Sequence, residues 1–163
     1  MLYNFFIFNQ TKISDFLVYY MTVLFSKKCE YGLQAVLFMA ALEEDRICSA
    51  EEISNKLNIP KEFTSKILQS LTASGLIESK KGKTGGFRLA IHPSKIKLID
   101  IVEAIDGLES FNSCVLGFSN CSPKNPCPVH KEWGELRNKA YEMLSSETID
   151  KFKEKTLNKI SVL

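Results

Sequence analysis

The sequence predicts a mostly α-helical protein with one small β-hairpin: a winged helix-turn-helix followed by C-terminal helices suited to dimerisation. Three observations lead there. Two short amphipathic segments, SAEEISNKL and KEFTSKILQSLTAS, are separated by a turn through Asn58 and Pro60, which is the helix-turn-helix pattern. The next stretch, LIESKKGKTGGFRLAI, places apolar residues in alternation on either side of a Lys/Gly-rich turn, as a hairpin does. Charge is also localised. From Lys56 to Lys97 there are nine Lys/Arg and two Asp/Glu, so this stretch carries +7 while the remainder carries −5. A cationic segment on an acidic body is the footprint of a polyanionic partner.

A chain of 163 residues fits one compact domain with an appendage. Its 45% hydrophobic and 25% charged residues are those of a soluble globular protein. Three segments follow: an N-terminal extension over 1–25, the winged helix-turn-helix over 26–95, and a cysteine loop with dimerisation helices over 96–163. Met21 stands just before the first helical pattern. Residues 1–20 therefore read either as an upstream extension of the reading frame or as an arm covering a hydrophobic surface. They show no basic n-region and no small-residue cleavage site, so they do not read as a secretory signal. The apolar run Phe16–Phe25 is about half of the roughly 20 residues that a membrane span needs. The expectation is a cytoplasmic protein without membrane contact, whose five cysteines stay reduced.

Each element has a local reason. Ser26 is the N-cap of a first helix carrying Tyr31, Leu33, Val36, Leu37, Ala40 and Ala41 near helical spacing. Ser49 caps the second, with Glu52 three residues on completing a capping box, and Ile53 and Leu57 face inward. The third helix has the stripe Phe63, Ile67, Leu68, Leu71 and ends at Gly75. Leu76, Glu78, Phe87, Leu89 and Ile91 form two strands around the turn Lys80–Gly86. After Pro93, LIDIVEAIDG is a short helix ending at Gly107. The tail is helical in two parts, first with Trp133, Leu136, Ala140, Met143 and Leu144. Ser146 then caps a second part with Ile149, Phe152 and Leu157. So little domain remains for these tail helices to pack on that a second subunit is their expected cover.

With that stripe inward, the third helix turns Lys61, Thr64, Ser65 and Gln69 outward, with Lys66 at the flank. Such side chains meet base edges when a helix enters the major groove. Lys80, Lys81, Lys83, Thr84 and Arg88 on the wing would lie along phosphates. Gly85 and Gly86 would let backbone N–H groups approach them closely.

The loop SCVLGFSNCSPKNPCPVH has the spacing Cys-x6-Cys-x5-Cys-x2-His. Gly117, Pro123, Pro126 and Pro128 forbid a regular helix or strand there. Cys114, Cys121, Cys127 and His130 thus put four soft or borderline donors in a 17-residue window. They fit a tetrahedral zinc ion or a small iron–sulfur cluster. Intervals longer than zinc knuckles favour a wider object with two or more irons; a thiol-redox switch and a zinc-stabilised protein without a cluster are the alternatives. Cys48 reads as packing and His92, beside Pro93, as a surface residue. The chain lacks a Cys-x-x-Cys redox pair, a catalytic His/Asp arrangement and a nucleotide-binding glycine loop, so an enzyme is not expected.

From about Ser26 to Trp133 the chain resembles the Rrf-two (Rrf2) family of winged-helix transcriptional regulators, of the IscR and NsrR kind. The resemblance is carried by SKKCEYGLQAVLFMAA, KEFTSKILQSLTASGLIESKKGKTGGFRLA, IKLIDIVEAIDG and the cysteine loop. It implies a homodimer on a near-palindromic double-stranded DNA operator, with an iron–sulfur cluster near the dimer interface. It implies the ligands Cys114, Cys121 and Cys127, and a fourth that is either His130 or Glu30 offered by the other subunit. It favours 2Fe–2S over 4Fe–4S, although the first cysteine interval is one residue longer than in the IscR pattern, which leaves the cluster type open. The wing's lysines stand where the family usually has an arginine, so charge is kept and bidentate geometry is not. Regulation, with repression as the expected direction, would then follow redox state, nitric oxide or iron and cluster status.

Overall fold

Helix α1, Lys27–Ala41, begins where the sequence offers its hydroxyl cap: Ser26 Oγ accepts from the Cys29 N–H at 3.1 Å. The computed structural model describes residues 24–43, 45–82 and 84–152. The extension predicted over 1–25 lies outside them as far as residue 23, and so does the tail beyond residue 152. Ser49 caps helix α2, Ala50–Leu57, accepting from the Glu52 N–H at 3.0 Å. The Glu52 carboxylate does not close the expected capping box, because it accepts from the Arg46 guanidinium at 2.6 Å instead. Asn58 ends α2 in the left-handed region at φ 50°, a conformation asparagine tolerates. Helix α3, Lys61–Ala73, ends as predicted at Gly75, whose φ is 76°. The Gly75 N–H bonds to the Thr72 carbonyl and the Leu76 N–H to the Leu71 carbonyl, both at 3.1 Å, the two bonds of a Schellman motif.

Strands β1, Ile77–Lys80, and β2, Gly86–Leu89, pair antiparallel, with Ile77 opposite Leu89 and Lys80 opposite Gly86. The free edge of β2 is not bare. Cys48 exchanges two backbone hydrogen bonds with Phe87, at 2.9 and 2.8 Å. A one-residue bridge has no periodicity and could not be read from sequence. It also shows that Cys48, wholly buried, is packing rather than a ligand.

Helix α4, Leu98–Asp106, is the wall between two cores. Ile101 joins Val36, Ile53, Ile67, Leu68, Leu71 and Ile77 on one side. Ile99 and Val102 join Cys29, Phe111 and Leu144 on the other. Burying each such aliphatic side chain contributes about 1.5–3 kcal/mol, so the first core outweighs the second. α4 is also tied to the start of α1: the Ser26 N–H and Oγ–H donate to the two Asp106 carboxylate oxygens at 2.6 and 2.7 Å.

Helix α5, His130–Ser146, leaves the cysteine loop. Ser146, expected to cap a second tail helix, is instead the last residue of α5 and bonds back to the Met143 carbonyl at 3.1 Å. The chain then returns to the winged helix. The Leu98 N–H meets the Glu147 carbonyl and the Ile149 N–H meets the Ile96 carbonyl, at 3.1 and 2.9 Å. Ile149, in a short 3-10 turn over Ile149–Phe152, is fully buried in the first core.

Candidate functional sites in the basic segment and the cysteine loop

On α3, Lys61, Ser65, Lys66 and Gln69 are exposed, as expected. Thr64 is not: it is 2% exposed and its hydroxyl donates to the Pro60 carbonyl. Phe63 takes its outer place, 36% exposed and edge-on to Tyr31 at 5.9 Å. The reason is helical spacing, since 64, 67, 68 and 71 make a tighter stripe than one through 63. Lys61 is held in an exposed ion pair with Glu51 at 3.1 Å, a bond worth little in water and readily exchanged for a phosphate.

On the wing, Lys80, Lys81 and Thr84 are exposed, and Lys83 lies outside the described residues. Arg88 differs from the lysines. Its guanidinium is paired with Glu78 across the hairpin and with Asp45 at 2.6 Å. These two carboxylates raise its pKa, the Glu78 hydrogen bond most. It fastens the wing to the α1–α2 connection. The glycines also have a packing reason within the protein itself. A side chain at Gly85 would collide with the Lys80 carbonyl, and one at Gly86 with the Cys48 carbonyl. Gly85 also gives its N–H to the Gly82 carbonyl at 2.9 Å. Close packing against these carbonyls demands glycine at both.

The cysteine loop brings its three thiols together. The sulfurs of Cys114, Cys121 and Cys127 all lie within 4.8 Å of one another. Cys114 and Cys127 are 3.6 Å apart, and the Cys121 sulfur is 3.1 Å from the His130 Nδ1. His130 therefore reaches the cluster of donors from the first turn of α5. Within its own chain the Glu30 carboxylate pairs with the Lys27 ammonium at 2.5 Å. Two thiolates on one tetrahedral ion with ~2.3 Å bonds stand about 3.8 Å apart, so the Cys114–Cys127 separation suits shared ligation.

Electrostatics set the thiols apart. Desolvation raises both Cys114 and Cys127. At Cys114 it is outweighed by the N–H groups of Phe118 and Leu116 and by the Cys127 and Cys121 thiols, so the pKa falls below the ordinary value. At Cys127 desolvation, with the Cys121 and Cys114 sulfurs adding to it, prevails over the Val129 N–H, and the pKa rises. Of these two, Cys114 is the one inclined toward thiolate, the ligating form. Just before it, the Ser113 carbonyl accepts from Trp133 Nε1 and Arg137 Nη1, both at 2.9 Å. Sequence reasoning took Trp133 only as an apolar contact and passed over Arg137. Their i, i+4 spacing beyond His130 was the available signal.

A winged helix with a basic hairpin, joined to a converging thiol loop, defines a class: DNA-binding transcriptional regulators with a soft-donor site. Comparison with known proteins agrees. The pattern of the Rrf2 family, described as "Iron-dependent Transcriptional regulator", matches residues 25–155. The chain belongs to the Rrf2 family. It is similar to a protein of Aquifex aeolicus (strain VF5) that carries the name of an HTH-type transcriptional regulator, with 36% identity over 129 residues, 78% of this chain and 89% of the relative. Its fold is similar to that of CymR (YrzC), the global cysteine regulator of B. subtilis. The TM-score is 0.66 and the identity 24%, over 79% of this chain and 95% of that one. It is also similar to T. potens IscR, with TM-score 0.61 and identity 26%, over 79% and 85% of the two chains. No described helix is long and apolar enough to cross a membrane.

Proposed function

We propose that this transcriptional regulator binds its operator as a homodimer, and that an iron–sulfur cluster held by Cys114, Cys121, Cys127 and His130 sets its affinity. The observation that carries this reading is the convergence of three thiols, all within 4.8 Å of one another, with the His130 Nδ1 3.1 Å from the Cys121 sulfur. We take the cluster as 2Fe–2S, with 4Fe–4S the alternative, and His130 as fourth ligand, with Glu30 of the partner subunit the alternative. The family's own description as iron-dependent supports it further. When bound, such a cluster supplies reactivity toward oxidants and nitric oxide and sensitivity to iron supply.

The protein's own residues do the rest. Cys114, biased toward thiolate, and the N–H groups of Leu116 and Phe118 around it favour an anionic centre. Lys61, Ser65, Lys66 and Gln69 on α3 meet the major groove, and Lys80 and Lys81 hold phosphates. On α5, Leu136 and Met143 are each 54% exposed and seven residues apart, a spacing that puts them on one stripe facing a second copy. Ordering of the 108–130 loop against α5 biases how two copies stand on DNA. A coupling of about 1–3 kcal/mol would change operator occupancy roughly 5- to 150-fold.

The experiment pairs anaerobic reconstitution with iron and sulfide with gel shifts on DNA from the protein's own promoter. A brown protein, bleached by Cys121→Ala, and a shift that differs between loaded and stripped protein are expected. Equal binding in both states would end the coupling. A second reading has its own observation: three sulfurs within 4.8 Å also suit one zinc ion. A colourless anaerobic preparation with stoichiometric zinc would establish it and leave the DNA-binding part standing.

A further inference from the structure

We infer that Trp133 and Arg137 form a bracket by which α5 holds the cysteine loop in its binding conformation, with Arg137 as the main positioning residue. This rests on the reading of the loop as a cofactor site and goes on to say what positions it. His130, Trp133 and Arg137 recur at i, i+3 and i+7 and so share one face of α5. All three reach the loop. His130 contacts the Cys121 sulfur, and the other two donate to the single carbonyl of Ser113, immediately before Cys114. A carbonyl oxygen has two lone pairs, and here both are filled. Ser113 is held from its other side as well, its hydroxyl donating to the Glu109 carbonyl at 2.7 Å. A peptide pinned at its carbonyl limits the rotations on either side of it, and hence the direction in which the Cys114 sulfur points.

The loop has little else to hold it. Its backbone bonds are short-range turns, Gly117 to Cys114, Cys121 to Phe118 and Asn125 to Ser122, and Val115, Leu116 and Phe118 are about half exposed. Arg137 is the stronger member of the bracket because a guanidinium donor makes a charge-assisted bond. Leu136 and Met143, on the stripe assigned to the second copy, ride on the same helix. The bracket is therefore the material link between the thiols and that stripe.

The full-length chain, Arg137→Met, Arg137→Lys and Trp133→Phe test this with two readouts. In metal-free protein, the alkylation rate of Cys114 by iodoacetamide is followed by peptide mass spectrometry. Loss of one hydrogen bond from a charged donor should raise that rate about tenfold in Arg137→Met, less in Trp133→Phe, and Arg137→Lys should restore most of the protection. After anaerobic loading with iron and sulfide, cofactor loss to a chelator is followed by visible absorption. Groups that orient ligands typically change metal affinity 10- to 100-fold, so Arg137→Met should lose colour about tenfold faster. Thermal melts of all variants should match that of the parent chain, because the winged-helix core is untouched. Parental alkylation rates in Arg137→Met would overturn the inference, whatever the cofactor. Failure of the parent chain to load would instead overturn the cluster reading, and the alkylation rates would still decide the bracket.

Discussion

In the winged-helix half Val36, Ile53, Ile67, Leu68, Leu71 and Ile77 are at most 1% exposed, whereas α5, a helix of 17 residues, buries Leu144 alone. In the cysteine loop the contrast is sharper, with Leu116 and Phe118 49% and 53% exposed. The first half satisfies itself: helices cross, a hairpin closes one end, and α4 completes the core. The second half presents donors and apolar side chains for which its own chain offers no cover among the described residues. One region is built to hold a shape and the other to acquire one. In the proposed dimer, that division would let the DNA-reading surface stay constant while the distance between its two copies changes.

The largest expected effect breaks the second half. Replacing Leu136 and Met143 by Glu removes four half-exposed apolar side chains from a dimer, at about 0.8–1.5 kcal/mol each and so about 3–6 kcal/mol in all. Analytical ultracentrifugation at micromolar concentration should then find monomer, with helical circular dichroism intact; a persisting dimer would put the interface elsewhere. Breaking the first half instead, Leu71→Ala should cost about 2–5 kcal/mol by leaving a cavity, read as a lower melting temperature in both the presence and the absence of iron.

A milder perturbation titrates the buried thiols. Burial foremost pushes Cys29 up to about 12 and Cys48 up to about 11. Both folded values lie above the 9.0 of a free thiol, so the folded state keeps protons that the unfolded chain gives up. Their contribution is therefore complete below pH 9 and declines as pH rises from 9 toward about 11 for Cys48 and about 12 for Cys29, by at most about 1.4 kcal/mol per pH unit for each thiol. Urea unfolding across that range should show the decline, and Cys48→Ala should make it shallower, leaving the part due to Cys29. The smallest effect concerns the surface alone. Lys80→Ala and Lys81→Ala should each reduce the salt slope of operator binding by about 0.9, without moving the melting curve.

Elements set by local chemistry were legible in the sequence. Ser26, Ser49 and Gly75 each mark a helix end because the chain supplies the bonding partner within a few residues. The thiol loop was legible for the same reason, its donors being close in sequence and its prolines excluding a regular element. What escaped was decided over distance or between near-equal neighbours. Phe63 and Thr64 both sit at helical spacing from Ile67, and only the packed core shows that the threonine turns inward. Arg88 meets Asp45 across 43 positions, and Ser26 meets Asp106 across 80. No pattern within one segment reveals such pairs. Gly85 and Gly86 were recognised as special, but the carbonyls folded against them lie beyond any local pattern.

The two backbone bonds between Cys48 and Phe87 have a mechanical consequence. They stitch the hairpin to the body of its own subunit, so it behaves as an outrigger fixed to a hull and not as a hinged flap. On an operator, the reach from one hairpin tip to the other would then be dictated by how the two hulls are lashed together. In the proposed dimer, a signal acting at that lashing would change this reach, far from the bases being read.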